Sequence, residues 1–145
     1  MALQKYTCES PFLLECGETL QGLEIAYHTY GKMNASGTNI IWVCHALTAN
    51  ADVADWWKGL VGEGCLINPD EYFIVCANMI GSCYGSTGPL SINIASHQPY
   101  YSNFPLVTIR DMVAAYILLR KHLGIETIQL LMGGSMGGYQ VLEWA

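Results

Sequence analysis

Apolar residues along this chain gather into short runs of two kinds. Ile40-Ile41-Trp42-Val43-Cys44 and Tyr72-Phe73-Ile74-Val75-Cys76 are unbroken, β-branched and aromatic, and a third run spans Thr127 to Met132. Runs this short with no polar alternation suit strands of a parallel sheet covered on both faces. Leu23 to Tyr30 alternates instead, with Leu23, Ile25, Tyr27 and Thr29 on one face, and Phe12 to Glu15 is a shorter extended segment. Alternation of that kind predicts an antiparallel start, followed by a turn-rich connection over Gly31 to Thr38. A helix is predicted from near Pro105, with Ile109, Met112, Val113, Tyr116, Leu119 and Leu123 at helical spacing and Gly124 as its C-cap. Asp52 to Val61 predicts a shorter helix with Trp56 and Trp57 facing the protein, and a third helix begins at Ser135. The alternation of strand and helix from Ile40 onward makes the expected fold class α/β, a parallel sheet with right-handed crossovers.

Composition sharpens this picture in three ways. With 145 residues there is room for one domain or a piece of one, and no repeat, low-complexity tract or linker divides the chain. Apolar residues make up 52% and charged residues only 12%, where a soluble domain carries about a quarter charged. So much apolar surface predicts covering structure beyond the elements counted here, or else a naturally apolar small domain or an oligomer. A net charge of −6 with scattered Lys and Arg argues against a nucleic-acid partner. No run approaches a membrane span, and Met1 to Ser10 lacks the make-up of a signal peptide, so no membrane partner and a cytoplasmic location are expected. The six cysteines form no CxxC pair, and Cys44 and Cys76 lie inside strand-like runs, which predicts reduced packing thiols. No metal site is expected, since His28, His97 and His122 share no ligand spacing.

Candidate chemistry sits at the ends of the apolar runs. Gly133-Gly134-Ser135-Met136-Gly137-Gly138 follows the third run. A serine with glycines two residues before and two after makes a sharp strand-to-helix turn that lifts a nucleophilic hydroxyl clear of the sheet. Such a residue takes an unfavourable backbone conformation, and a Cβ at either glycine would collide across the turn. The helix beyond it points free N–H groups and its positive dipole end at the serine. The competing reading is a glycine-rich turn whose serine merely caps the helix. Directly after the first central run comes His45-Ala46-Leu47-Thr48. In the elbow template one oxyanion-hole N–H comes from this loop and the other from the residue after the nucleophile, so the backbone amides of Leu47 and Met136 are the expected pair. His45 is expected to brace its loop, because the base of this topology follows the nucleophile in chain order. The loop Asn78 to Pro89 lies where open α/β sheets form ligand crevices, yet it also fits an ordered Ω-like surface loop. No GK[ST] follows its glycines, so a P-loop is not expected.

Four motifs in one order resemble the homoserine O-acetyltransferases. They are His45-Ala46-Leu47-Thr48, Tyr84-Gly85-Ser86-Thr87-Gly88-Pro89, Phe104-Pro105 with Thr108-Ile109-Arg110-Asp111-Met112-Val113, and Gly133 to Gly138 with Leu142-Glu143-Trp144-Ala145. The resemblance implies an α/β-hydrolase fold of which residues 1–145 form the amino-terminal part of a single domain, reaching the elbow strand and the start of its helix without lid or carboxyl-terminal part. It implies acetyl transfer from acetyl-CoA, as co-substrate, to the hydroxyl of L-homoserine through acyl-Ser135, in methionine biosynthesis. No bound cofactor is implied, and the full-length enzyme is expected to be a homodimer. The family's triad Asp and His and its substrate-binding arginine lie past the position of Ala145, so these residues alone are expected to be inactive. Ala49 stands where many relatives have glycine. A serine hydrolase and a homoserine O-succinyltransferase remain as alternatives, as does a non-catalytic interaction module on a hydrolase scaffold.

Overall fold

The structure is a computed structural model and describes residues 2–145. Its elements are β1 (Gln4–Cys8), β2 (Phe12–Leu13), β3 (Thr19–Leu20), β4 (Leu23–Tyr30), β5 (Ile40–Cys44), α1 (Val53–Trp56), β6 (Phe73–Ala77), β7 (Ile92–Asn93), β8 (Gln98–Pro99), α2 (Ile109–His122), β9 (Leu130–Gly133) and α3 (Met136–Trp144). A single sheet runs β1-β4-β6-β5-β9. Within it β5 pairs parallel to β6 and β9, while β4 pairs antiparallel to both β1 and β6. The unbroken run Ile40–Cys44 is buried at every position because it lies second from one edge with structure on both faces. On one face Trp42 packs between Tyr116 of α2 and Trp144 of α3, with ring centroids 5.9 and 5.0 Å away. On the other, Ile41 and Val43 share a cluster with Val53, Val61 and Ile67. Burial pushes the Cys44 thiol up to about 12, which keeps it protonated and apolar in that core.

Several expectations shift. β4 has the expected bounds but no wet face: Leu23, Ile25, Ala26, Tyr27, His28 and Tyr30 are all buried, because other side chains cover both faces, Leu23, Ile25 and Tyr27 lying in the main core cluster and Tyr30 in the second. The extended segment over Phe12 to Glu15 contracts to a two-residue strand pairing with Thr19–Leu20. The helix expected over Asp52 to Val61 is one turn, Val53–Trp56. Positive φ at Gly59 and Gly62, 87° and 146°, carries the chain away from a helical path. Trp56 and Trp57 are half-buried and stack on each other, and the Trp56 indole N–H donates to the Asn50 carbonyl at 2.8 Å. The third run pairs only from Leu130, and β9 is a sheet edge with no neighbour beyond it among the described residues. Apolar surface lies open on that side, where Leu130, Tyr139 and Leu142 are exposed. No helix among the described residues is long and apolar enough to cross a membrane.

The long helix starts at Ile109, later than Pro105 suggests, because Thr108 and Asp111 form a capping box. The buried Asp111 carboxylate accepts from the backbone N–H of Thr108 and from that of Glu15, both at 2.9 Å. One side chain thus fixes the helix entrance and ties it to the loop after β2. Asp111→Ala is expected to cost about 1–3 kcal/mol, the penalty for leaving donors of this kind unpaired. Urea unfolding followed by tryptophan fluorescence reads that loss, and an unchanged midpoint would contradict the assignment.

Candidate active site

Ser135 joins β9 to α3 with φ 56° and ψ −125°, a backbone state that costs a non-glycine residue about 1–3 kcal/mol. Two glycines make the turn sterically feasible. A Cβ on Gly133 would lie 2.6 Å from the Gly137 carbonyl oxygen and 2.7 Å from that of Cys44. A Cβ on Gly137 would strike the Cys44 carbonyl and sit 2.9 Å from that of His45. Gly134 has open space and Gly138 meets nothing nearer than 3.6 Å, so of these four only Gly133 and Gly137 are sterically required. The Ser135 side chain makes no capping hydrogen bond and is exposed. The capping alternative therefore lacks its bond, and the strain falls on the residue whose hydroxyl is presented.

Close approach of α3 to the end of β5 brings the loop after β5 beside the elbow. Leu47 and Met136 line one cavity of about 580 Å³, together with Met79, Tyr84, Phe104 and Met112. Among the described residues neither the Leu47 nor the Met136 backbone N–H has a hydrogen-bond acceptor. His45 is fully buried, and its Nδ1 lies 2.7 Å from the Ala46 carbonyl oxygen. Burial lowers its pKa from the ordinary histidine value, so the ring is neutral at pH 7. It makes no hydrogen bond to Ser135, in keeping with a bracing rather than a base role.

The loop Asn78 to Pro89 combines both readings open to it, since it is internally ordered and also lines the cavity. Asn78 accepts from the Ala51 N–H at 2.8 Å and donates to the Tyr84 carbonyl at 2.7 Å, stapling the loop after β5 to the loop after β6. Ser86 donates to the Asn78 carbonyl at 2.6 Å and accepts from the Ala26 N–H at 3.0 Å, and Thr87 accepts from the Glu24 N–H at 2.8 Å. A Cβ on Gly88 would lie 2.7 Å from the Ser82 carbonyl oxygen. Ser86 and Thr87 of this motif therefore anchor the loop to β4 while Gly88 lets it close on itself, roles that spacing alone did not reveal. Asn78→Ala should lower stability by about 1–3 kcal/mol by orphaning both partners of a buried amide. Differential scanning calorimetry measures this, and an unaltered transition would count against the staple. His28 stacks on Tyr30 and His122 on Tyr6. Among the described residues no group of three or more His, Cys, Asp or Glu side chains is placed to hold a metal ion.

A strained serine between two obligatory glycines, at the end of a parallel strand and the start of a helix, defines an α/β-hydrolase elbow. The chain belongs to that family, whose profile, described as the alpha/beta hydrolase fold, matches residues 39–145. Within the family it is similar to the homoserine O-acetyltransferases along its whole length. It is 49% identical over 142 residues to the homoserine O-acetyltransferase of Nostoc punctiforme, a match covering 98% of this chain and 40% of that protein. The crystal structure of homoserine O-acetyltransferase from Bacillus anthracis superposes with a TM-score of 0.92 at 29% identity, covering 99% of this chain and 42% of the other. An acetylester hydrolase from Corynebacterium glutamicum superposes with a TM-score of 0.85 at 29% identity, covering 99% and 40%. The chain spans about two-fifths of the length of the curated relatives it matches.

Proposed function

We propose that these residues supply the nucleophile, the oxyanion hole and part of the acyl pocket of a homoserine O-acetyltransferase. The strained Ser135 backbone, held between Gly133 and Gly137, carries this reading. In the proposed first half-reaction Ser135 Oγ attacks the thioester carbonyl of acetyl-CoA, and its proton passes to a base. The negative oxygen of the tetrahedral intermediate accepts hydrogen bonds from the Leu47 and Met136 N–H groups, and the C–S bond then breaks to release CoA. In the second the hydroxyl of L-homoserine attacks acetyl-Ser135 through the same oxyanion, forming O-acetylhomoserine and returning the proton to Ser135. None of the described histidines hydrogen-bonds Ser135, and on family resemblance the base and its aspartate are proposed to belong to the part of the relatives that residues 1–145 do not match. The proposal includes a place in methionine biosynthesis, a cytoplasmic location and a homodimeric whole enzyme, on family resemblance.

Likeness to an acetylester hydrolase at the same identity keeps a second reading, in which water discharges the acyl-serine. A chimera in which residues 1–145 replace the matching segment of the Nostoc punctiforme relative tests whether these residues support transfer or divert the acyl-serine to water, the remaining substrate-binding groups being those of the relative. Supplied with acetyl-CoA, it is expected to form O-acetylhomoserine from homoserine far faster than free acetate from water. Acetate release indifferent to homoserine would favour the esterase, and turnover with succinyl-CoA in preference to acetyl-CoA would favour a succinyltransferase.

A further inference from the structure

We infer that His45 is a positioning residue that aims the Leu47 amide at the oxyanion by holding the carbonyl of the peptide unit to which that amide belongs. The inference rests on the acyl-transfer reading above and assigns a task to a buried side chain which that mechanism leaves idle.

The Ala46 carbonyl and the Leu47 N–H are two ends of one peptide plane. No peptide bond among the described residues is cis, so this unit is trans and its N–H points opposite its C=O. Whatever fixes the direction of the Ala46 oxygen therefore fixes the direction of the Leu47 hydrogen. Two donors hold that oxygen: the Ala49 N–H at 3.0 Å, across a turn, and His45 Nδ1 at 2.7 Å. A carbonyl can only accept, so Nδ1 carries the proton and Nε2 of the neutral ring carries a lone pair. That Nε2 is buried and has no partner, so Nδ1–H is the ring's one directed interaction.

Burial decides which donor is the anchor. Residues 46–50 are exposed or half-exposed, and Leu47 is 60% exposed, so the Ala49 donor belongs to the solvent-facing segment of the loop and competes with water for the same oxygen. His45 is fully buried, and its own backbone carbonyl lies against Gly137 in the first turn of α3. The ring therefore refers the Ala46 carbonyl to the same rigid body that carries Met136 N–H. Both amides are in this way set relative to one helix end, although one of them belongs to a surface loop.

Three substitutions in the chimera test this. His45→Asn keeps an N–H at the δ position, His45→Gln moves it to the ε position, and His45→Leu removes it. The rate constant for Ser135 acetylation is measured by quenched-flow mass spectrometry over a range of acetyl-CoA concentrations, with thermal unfolding recorded for each variant. His45→Asn should acetylate within a few-fold of the parent. His45→Gln and His45→Leu should slow the maximal rate about 10- to 100-fold while leaving half-saturation by acetyl-CoA unchanged, because a donor aimed at the oxyanion acts on the transition state and not on binding. Should His45→Leu fail to fold, the Asn and Gln pair carries the comparison. Equal rates in Asn and Gln variants, or a loss confined to half-saturation, would overturn the inference while leaving acyl transfer intact. A parent chimera that never acetylates Ser135 would overturn the acyl-transfer reading itself, and the inference with it.

Discussion

Ser135→Gly in the chimera should abolish acetyl transfer and at the same time leave a protein at least as stable as the parent. Loss of the nucleophile in a serine enzyme costs a factor of about 10⁶ in turnover. Stability moves the other way because φ 56° with ψ −125° is a state glycine adopts freely and serine does not. Relief of about 1–3 kcal/mol of strain outweighs the roughly 0.5–1 kcal/mol by which glycine loosens the unfolded chain. Ser135→Ala supplies the comparison: equally inactive, but still strained, it should unfold at or near the parent midpoint. A serine present only to cap α3 puts both variants below the parent, since alanine at an N-cap costs about 1 kcal/mol and glycine only a few tenths. Urea denaturation of the three proteins side by side distinguishes the cases.

Gly137→Ala should be the most damaging single methyl group at the elbow. Its Cβ meets the backbone carbonyls of Cys44 and His45, and neither is a flexible side-chain end that swings aside. Helix α3 must then move away from β5, and the two amides proposed for the oxyanion separate with it. Overpacking of this kind costs about 1–3 kcal/mol, and a displacement near 1 Å at a catalytic group costs about 100-fold in rate. Gly134→Ala is the control, since a Cβ there meets nothing within 4 Å. Steady-state rates and urea midpoints should separate the two substitutions cleanly. Similar damage from both would mean that the turn is intolerant for some reason other than the contact with β5.

The elbow was legible in the sequence because its glycine and serine spacing is itself local, although the contacts that require those glycines are in part with the carbonyls of Cys44 and His45 at the end of β5. The central strands were legible from a local pattern too: Ile40–Cys44 and the run ending at Cys76 are apolar on both faces because both faces are covered. Edge and loop features were harder to see. β1 carries Gln4, Lys5 and Thr7 among its five residues because it lies at the sheet edge, half in water, and so it lacks an apolar run. The Thr108 and Asp111 pair signals a helix start, yet Pro105 is the louder cue and draws the boundary too early. The staples of the Asn78 loop had no local signature at all, since Asn78 meets Ala51 and Thr87 meets Glu24 only after the sheet has formed. Leu47 and Met136 were legible as a pair only through the elbow template, and their separation along the chain is closed by the contact of Gly137 with the end of β5.

Peptide mass spectrometry of the chimera, quenched after mixing with acetyl-CoA alone, tests the central claim most directly. One acetyl group is expected on the peptide containing Ser135, stable for many turnovers in buffer and discharged on addition of homoserine with formation of O-acetylhomoserine. Acetylation at another residue, labelling that persists in Ser135→Ala, or discharge at the same rate with and without homoserine would contradict it.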